Sequence, residues 1–398
     1  MTARSERAAA AAEAPLDVVH AFKVYMPDVR GGIPTAIRQV VLGTAGQCRS
    51  RILATREPGS PRVVTVEGVP VQRTLSLGTL LSLPMAPAYP LRLWQLARKA
   101  DLVVSHAPFP LVDVSVSLWF PRRCGLIVHW HSEVHAAIAS QQRVLPLLRG
   151  FILRTLRRAD RIIVPSELMI EQSPFISRFA RKCEVAPYGI DVAFWSELTA
   201  PERERVAELR RRFPRLVVSA GRLVRLKGFE ELIEAFTRID GQLAILGAGY
   251  LEPQLRALIA ARKLEDRVLL PGKPYAHEEF KCYLHAGRVF AMPSIVETFG
   301  LVQLEAMACG RAVVNTRLST VAPRVARHGH EALTIAPGSV DELASALTAL
   351  LDDEARAREL GASGQRRAAE MFSEPAYFER IMRIYRDVVA SRRRLPLR

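Results

Sequence analysis

Short apolar runs alternate with amphipathic segments along nearly the whole chain, and the alternation pauses once and then restarts. The runs Asp17–Phe22, Ser50–Thr55, Arg62–Val66, Asp101–His106, Gly125–His131, Arg161–Pro165 and Lys182–Pro187 read as strands. Helical periodicity falls between them in Ile33–Thr44, Leu91–Lys99, Leu145–Arg158 and Glu167–Phe179. After Tyr188-Gly-Ile-Asp191 comes a charged run, Glu197–Arg212, which reads as a linker leading into a first helix. The rhythm then resumes with strands Arg215–Ala220, Gln242–Leu246, Arg267–Leu270, Arg288–Met292, Arg311–Asn315 and Ala332–Ala336. Helices Gly228–Arg238, Glu252–Arg262 and Asp341–Leu351 lie between these. Such spacing predicts βαβ units, hence parallel sheets with helices on their faces. Ligands of such sheets sit in crevices at the carboxyl ends of strands, and two facing sheets would make one deep cleft.

A chain of 398 residues suits two domains. The expected division is a disordered start over 1–14, one α/β domain over 15–195, a second over 196–373 and a terminal helix over 374–398. That helix carries apolar Phe378, Ile381, Met382, Ile384, Tyr385, Val388 and Val389, and no strand follows it. It is expected to pack back across the domain junction. The run Ala8–Ala12, broken by Glu13, is too short and too polar for a signal peptide.

The five cysteines are scattered, without CxxC or Cys/His metal spacing, which predicts reduced thiols in a cytoplasmic protein. The net charge is +16, of which residues 1–195 carry +10. A basic chain meets nucleic acid, anionic membranes or phosphate-rich substrates. With no zinc finger, aromatic RNP strand or long Lys/Arg block, nucleic acid is not expected as a partner. The uncharged connector Thr74–Leu91 holds Pro84, Pro87 and Pro90, which disfavour a spanning helix. It reads either as a buried loop or as a surface that meets lipid. Leu145–Arg158 sets Leu148, Phe151, Ile152 and Leu156 beside Arg149, Arg154, Arg157 and Arg158. It is a core helix with a solvated basic face or a helix docked on an anionic leaflet.

The segment Ser294-Ile-Val-Glu297-Thr-Phe-Gly300-Leu-Val-Gln-Leu-Glu305 follows the strand Arg288–Met292. Glu297 falls in a strand-to-helix loop, and Glu305 is expected about two turns into the helix. The N–H groups of Phe299, Gly300 and Leu301 stand at the helix start, where anions bind. Two acids flanking an anion site suit a phosphorylated sugar. Arg222 and Lys227, in Gly221-Arg-Leu-Val-Arg-Leu-Lys-Gly228 after another strand, suit a diphosphate, while Arg225 reads as surface. Gly31-Gly32, after the first strand, reads either as a tight loop or as backbone made to approach an anion. His129 and His131 alternate onto the same side of their strand, with His131 nearer its end; a polar contact with substrate suits His131 better than metal ligation. His106 reads as a satisfied polar residue at a strand end. Neither a GxGxxG fingerprint nor a GxxxxGK[ST] loop is present, which disfavours nicotinamide enzymes and P-loop NTPases.

Together these residues resemble the retaining glycosyltransferases of family four, from Val18 to about Phe372. The likeness rests on Glu297 to Glu305 (the family's E-x7-E), Gly221-Arg222 to Lys227-Gly228, Pro187-Tyr-Gly-Ile-Asp191, Gly31-Gly32 and Gly310-Arg-Ala-Val-Val314. Tyr89-Pro90, Asp101 to Pro110 and Ile127 to Ser132 look most like bacterial mannosyl/rhamnosyltransferases that build O-antigen or exopolysaccharide on a polyprenyl-diphosphate carrier. The resemblance implies the GT-B fold, two Rossmann-like domains facing a deep cleft. It implies transfer of a hexose from a nucleotide sugar, mannose from GDP-mannose, to a lipid-linked saccharide at the inner face of the cell membrane.

The residue roles it implies follow the motifs. Arg222 and Lys227 would neutralise the leaving diphosphate. Glu297 would hold sugar hydroxyls, the N–H groups of Phe299, Gly300 and Leu301 sugar and phosphate, and Glu305 the ribose. Gly31 and Gly32 would close on the phosphates, His131 would touch the donor sugar, and Lys273 would lie by the base. No cofactor and no metal are implied, and the leaving phosphate would act as base, so a glycosidase's carboxylate pair is not needed. One departure stands out: Leu318-Ser-Thr-Val-Ala-Pro323 lacks the glycine-rich segment of many relatives, and Arg324 and Arg327 read as surface. Still open from the sequence are a UDP- or dTDP-sugar donor and a non-catalytic sugar-nucleotide-binding protein.

Overall fold

The computed structural model describes residues 14–27, 32–80, 83–133, 139–271 and 276–394. The chain divides into two compact units, Met1–Pro187 with Tyr377–Arg398, and Tyr188–Ala376.

Unit 1 holds β1 (Leu16–Ala21), β2 (Cys48–Arg56), β3 (Val63–Val66), β4 (Val69–Leu75), the short pair β5 (Thr79–Leu80) and β6 (Leu83–Pro84), β7 (Leu102–Ala107), β8 (Gly125–Trp130), β9 (Arg161–Val164) and β10 (Cys183–Val185). Its main sheet runs β10-β9-β8-β7-β1-β2-β4-β3. Neighbours are parallel except β3 and β4, an antiparallel hairpin closed by Glu67 and Gly68, both at positive φ. Every residue of β7 and β8 is buried, because helices cover both faces of a parallel sheet.

Unit 2 holds β11 (Leu216–Ala220), β12 (Gln242–Leu246), β13 (Val268–Leu269), β14 (Val289–Met292), β15 (Ala312–Thr316) and β16 (Ala332–Ile335), ordered β13-β12-β11-β14-β15-β16 and all parallel. Its core is Leu, Ile, Val and Phe from the strands and the helices around them, such as Phe229, Leu232, Ile245, Leu255, Val314 and Leu347. In each unit the order of strands reverses at one place, between β1 and β7 in unit 1 and between β11 and β14 in unit 2. Loops diverge there and leave a crevice beyond the strand ends.

The division after Pro187 precedes the expected boundary at 195/196. Asp191 already caps a short helix, Val192–Ser196, by accepting from the Phe194 N–H at 2.9 Å. Trp195 of that helix is buried against Phe280, and its carbonyl contacts His285 Nε2 at 2.8 Å. The run read as a linker is mostly the helix Ala200–Arg212, started by a capping box between Thr199 and Glu202. Helix Glu374–Arg393 returns to unit 1, where Met382 Sδ lies 3.4 Å from Cys48 Sγ and Arg392 grips both oxygens of Asp160 at 2.5 and 3.0 Å. All five cysteines are free thiols. Among the described residues no helix is long and apolar enough to cross a membrane.

Candidate functional site

The loops after β11 and β14 meet at the crevice of unit 2. Gly228 makes the meeting possible. It sits at φ 67°, and a Cβ there would lie 2.1 Å from the carbonyl oxygen of Pro293. Past this contact the Leu226 carbonyl accepts from the Ile295 N–H at 2.9 Å. The two loops are thereby joined main chain to main chain, and Lys227 Nζ donates to Glu297 Oε2 in a mostly buried ion pair. Glu297 Oε1 also accepts from the Thr298 N–H at 3.1 Å. Arg222, on the same loop, is exposed and makes no side-chain hydrogen bond or ion pair among the described residues. It is free to meet an anion.

Gly300 takes a left-handed φ of 77° and lies just before the helix Leu301–Ala308. No side chain caps that helix start, so its first N–H groups lack intrahelical partners. Phe299 itself is buried, edge-on to Tyr188 and Phe372, so its side chain anchors the loop and leaves only its backbone to meet a ligand. Glu305 is the fifth residue of this helix, a little over one turn in rather than two, because the helix starts at Leu301. Burial pushes its carboxyl up to about 8, and no protein group among those described neutralises it. A carboxyl held neutral near pH 7 can both donate to and accept from a ligand hydroxyl.

Sequence reasoning missed the groups that hold this helix start. Buried Gln303 donates to the carbonyls of Phe299 at 3.0 Å and Ala322 at 2.8 Å. Its Oε1 accepts from Asn315 Nδ2 at 3.2 Å, and Asn315 in turn donates to Ala326 at 2.9 Å and accepts from Thr334. This polar chain ties the segment before Arg324 to the site without any glycine. A polar residue two positions from Glu305 inside an apolar helix is the sequence signal that could have found it.

At the crevice of unit 1 stand four fully or nearly fully buried histidines, His20, His106, His129 and His131. His20 Nδ1 and His106 Nε2 are 3.0 Å apart, and His106 Nδ1 and His131 Nε2 are 2.8 Å apart. His129 and His131 stack at 4.1 Å, as same-side neighbours on one strand must. Burial lowers all four: His20 and His129 to about 3, His106 and His131 well below the ordinary value. They are neutral at pH 7. One ring nitrogen each of His106, His129 and His131 come within 4.8 Å of one another, a spacing that could hold a metal ion. His106 and His131 are already joined by a hydrogen bond, His129 and His131 are stacked, and His106 and His129 are tilted with ring centres 5.6 Å apart.

Gly32 begins the helix Gly32–Gly43 with open space around it. Gly31 and Lys273 lie outside the described residues. In the helix Ala139–Arg158, Ile152 and Leu156 are buried in the unit 1 core and Leu148 packs on it. The apolar face proposed for lipid is therefore spent inside the protein, leaving Arg149, Arg154 and Arg157 exposed. The connector differs from the buried-loop reading, since Leu77, Met85 and Leu91 are 66%, 44% and 52% exposed.

Comparison with known proteins gives the family and the fold. The family described as "Glycosyltransferase Family 4" matches residues 30–194, and that described as "Glycosyl transferases group 1" matches residues 202–367. The chain belongs to the family-four glycosyltransferases, and its two α/β units form the GT-B fold. It is 25% identical over 358 residues to the D-rhamnosyltransferase WbpZ of Pseudomonas aeruginosa, spanning 89% of this chain and 92% of that protein. It is 25% identical over 380 residues to the O-antigen chain mannosyltransferase C of Escherichia coli, spanning 94% and 99%. Among solved structures, a sucrose-phosphate synthase from Thermosynechococcus elongatus aligns with TM-score 0.75 and 22% identity over 94% of this chain and all of that one. Anabaena HepE, solved with UDP-glucose, aligns with TM-score 0.74 and 20% identity over 94% and 100%.

Proposed function

We propose that this glycosyltransferase moves mannose from GDP-mannose, with retention and without a metal ion, to a polyprenyl-diphosphate-linked saccharide in bacterial surface polysaccharide synthesis. The observation that carries the reading is the junction of the Arg222–Lys227 loop with the Glu297–Gly300 loop at the strand-order reversal of unit 2. A free Arg, a Lys beside it and an uncapped helix start suit a diphosphate. Glu297 and Glu305, on the loop and helix that follow β14, are the groups proposed to take sugar and ribose hydroxyls.

The mechanism follows from charge. As the glycosidic bond to the diphosphate breaks, negative charge grows on the leaving oxygen. Arg222 and Lys227 would stabilise it, supplying what a divalent ion supplies in other enzymes. Glu297 positions Lys227 until the diphosphate replaces it as partner, which frees the carboxylate for sugar hydroxyls. Glu305 takes the ribose. His131, Gly31 and Gly32 of unit 1 are assigned to sugar and phosphate contact, and Lys273 to the base. The named activities of the mannosyl- and rhamnosyltransferase relatives support a deoxyhexose or hexose donor.

Membrane association is the second part of the reading. Exposed Leu77, Met85 and Leu91 beside a strongly basic first half support peripheral docking at the inner face of the membrane, where a lipid-linked acceptor is held. The test is a panel of GDP-, UDP-, dTDP- and ADP-sugars scored for slow hydrolysis, with the anomer of the first-formed product read by NMR. GDP-mannose turnover with retained configuration is expected. Turnover of UDP-sugars alone would replace the donor, and an inverted product would overturn the mechanism.

A further inference from the structure

The sheet of unit 2 has a second end, and it is basic. The loops that enter β11, β14 and β15, three neighbours in the sheet, surround a cavity of about 480 Å³ together with the start of the helix Glu354–Met371. Its walls carry Arg210, Arg288, Arg311 and Arg358 against one carboxylate, Glu354. The Arg222 crevice lies beyond the opposite strand ends, roughly 15 Å away along a strand of five residues. The donor reading therefore leaves these four arginines without a role.

Backbone carbonyls fasten three of the four. Arg311 donates through Nε to Cys309 and through Nη1 to Gly287, both at 3.0 Å. Arg288 donates through Nε to Pro214 at 2.9 Å and through Nη1 to Leu351 at 3.3 Å. Arg210 donates through Nη2 to His285 at 2.8 Å. A carbonyl holds a guanidinium in place without cancelling its charge. Nη2 of Arg311, Nη2 of Arg288 and Nη1 of Arg210 make no hydrogen bond among the described residues. Bonds to carbonyls are ordinary for basic residues near helix C-termini, where Arg210 and Arg311 stand. The balance of charge is not. Asp352 and Asp353 nearby are occupied, the first by Arg215 and the second as a helix cap. Glu354 pairs with Arg358, which holds its carboxyl below the usual value, and Arg288 and Arg210 add to the pull. Four cations against one anion leave three positive charges on one cavity.

We propose that this cavity is a second anion site, which takes a small soluble molecule carrying two phosphate groups. Guanidinium forks match phosphate oxygens in pairs, and an excess of three positive charges suits a diphosphate. The volume leaves room for an organic group attached to it. A soluble molecule fits better than a lipid headgroup, because the uncharged part of the lining is only Pro, Ala and Gly and offers no large apolar side chain to an acyl chain.

The test is calorimetric titration of sodium pyrophosphate into the full chain carrying Arg222→Ala/Lys227→Ala, which weakens the other crevice of unit 2. The expected result is saturable one-to-one binding at about 0.05 M salt that falls by about tenfold or more when Arg210→Ala/Arg358→Ala is added. Adding Arg256→Ala/Arg262→Ala instead removes the same charge from exposed positions outside the cavity and should leave the affinity within about twofold. Absence of binding overturns the proposal. So does an equal loss in the two backgrounds, which would reduce the effect to general attraction by a basic chain. Sedimentation with phosphatidylglycerol vesicles is the lipid arm. If Arg210→Ala/Arg358→Ala lowers vesicle binding but not pyrophosphate affinity, the site belongs to a lipid and the soluble ligand is refuted. Should that double variant lose cooperative unfolding, Arg358→Gln carries the test, because its side chain bonds only Glu354. A loss of about threefold or more is expected there, and unchanged affinity is contrary. None of these outcomes depends on what the Arg222 loop binds, so the two readings fail separately.

Discussion

Glu305 shows how far the environment of one residue can redirect its chemistry. In sequence it is one of two acids eight apart, set off from Glu297 by its place in a helix rather than a loop but not by its ionisation. In the fold Glu297 has a lysine and a backbone N–H, while Glu305 has neither and is pushed up to about 8 from 4.5. The consequence for stability has a definite sign. The folded protein keeps a proton that the unfolded chain releases, so stability is full below about pH 4.5 and is lost as pH rises through about 8. Glu305→Gln should leave Tm unchanged at pH 5 and raise it by several degrees at pH 9, measured by scanning calorimetry. A gain of equal size at both values would contradict the assignment. The histidines act in the opposite sense. Their folded pKa values lie below the unfolded 6.5, so stability present above pH 6.5 is lost as pH falls toward about 3. His20→Phe should flatten that acid limb in the same scans.

Elements explain what the sequence could and could not say. The strand Gln242–Leu246 is read with the bounds it has in the fold, because a strand buried on both faces is a continuous apolar run between polar turns. The strand Val69–Leu75 is missed, since its start is hidden behind a two-residue turn in which Glu67 takes a positive φ. The helix His277–Ala286 is missed because its buried face carries Lys281 and His285, whose partners Glu202 and the Trp195 carbonyl are far away in sequence. The site loops were legible as motifs, but not the contact that joins them. That contact depends on Gly228. Gly228→Ala places a methyl against the Pro293 carbonyl and strains a left-handed φ. It should lower stability by about 1–3 kcal/mol and weaken donor binding in the same variant. A silent substitution, by denaturant unfolding and donor titration, would mean the loops are not held this way. Likewise Gln303→Leu leaves the Phe299 and Ala322 carbonyls and the Asn315 amide without their partner. A loss of about 2–4 kcal/mol is expected, with donor affinity recovering in part in Gln303→Glu at low pH, where the side chain is neutral.

At the scale of the molecule, two reversals of strand order account for where chemistry-bearing residues gather. Arg222, Lys227, Glu297 and the Gly300 turn collect at one, and the histidine chain at the other. Sequence periodicity predicts the sheets, yet strand order is set by how helices cross over, which no local pattern records. The +16 charge belongs to this scale too. With the apolar face of Ala139–Arg158 buried, the proposed attraction to an anionic leaflet would rest on exposed arginines and on the Leu77, Met85 and Leu91 surface. Binding to vesicles containing anionic lipid should therefore weaken by tenfold or more between about 0.05 and 0.5 M salt. Salt-independent or absent binding in a sedimentation assay would refute it.

The central claim is that the unit 2 crevice holds a nucleotide diphosphate through Arg222 and Lys227. Calorimetric titration of GDP-mannose into the wild type and into the Arg222→Ala/Lys227→Ala double variant tests it most directly. The account predicts saturable one-to-one binding to the wild type and a loss of at least about 100-fold in the variant, with unfolding cooperativity retained. Equal affinity in the two proteins would contradict it.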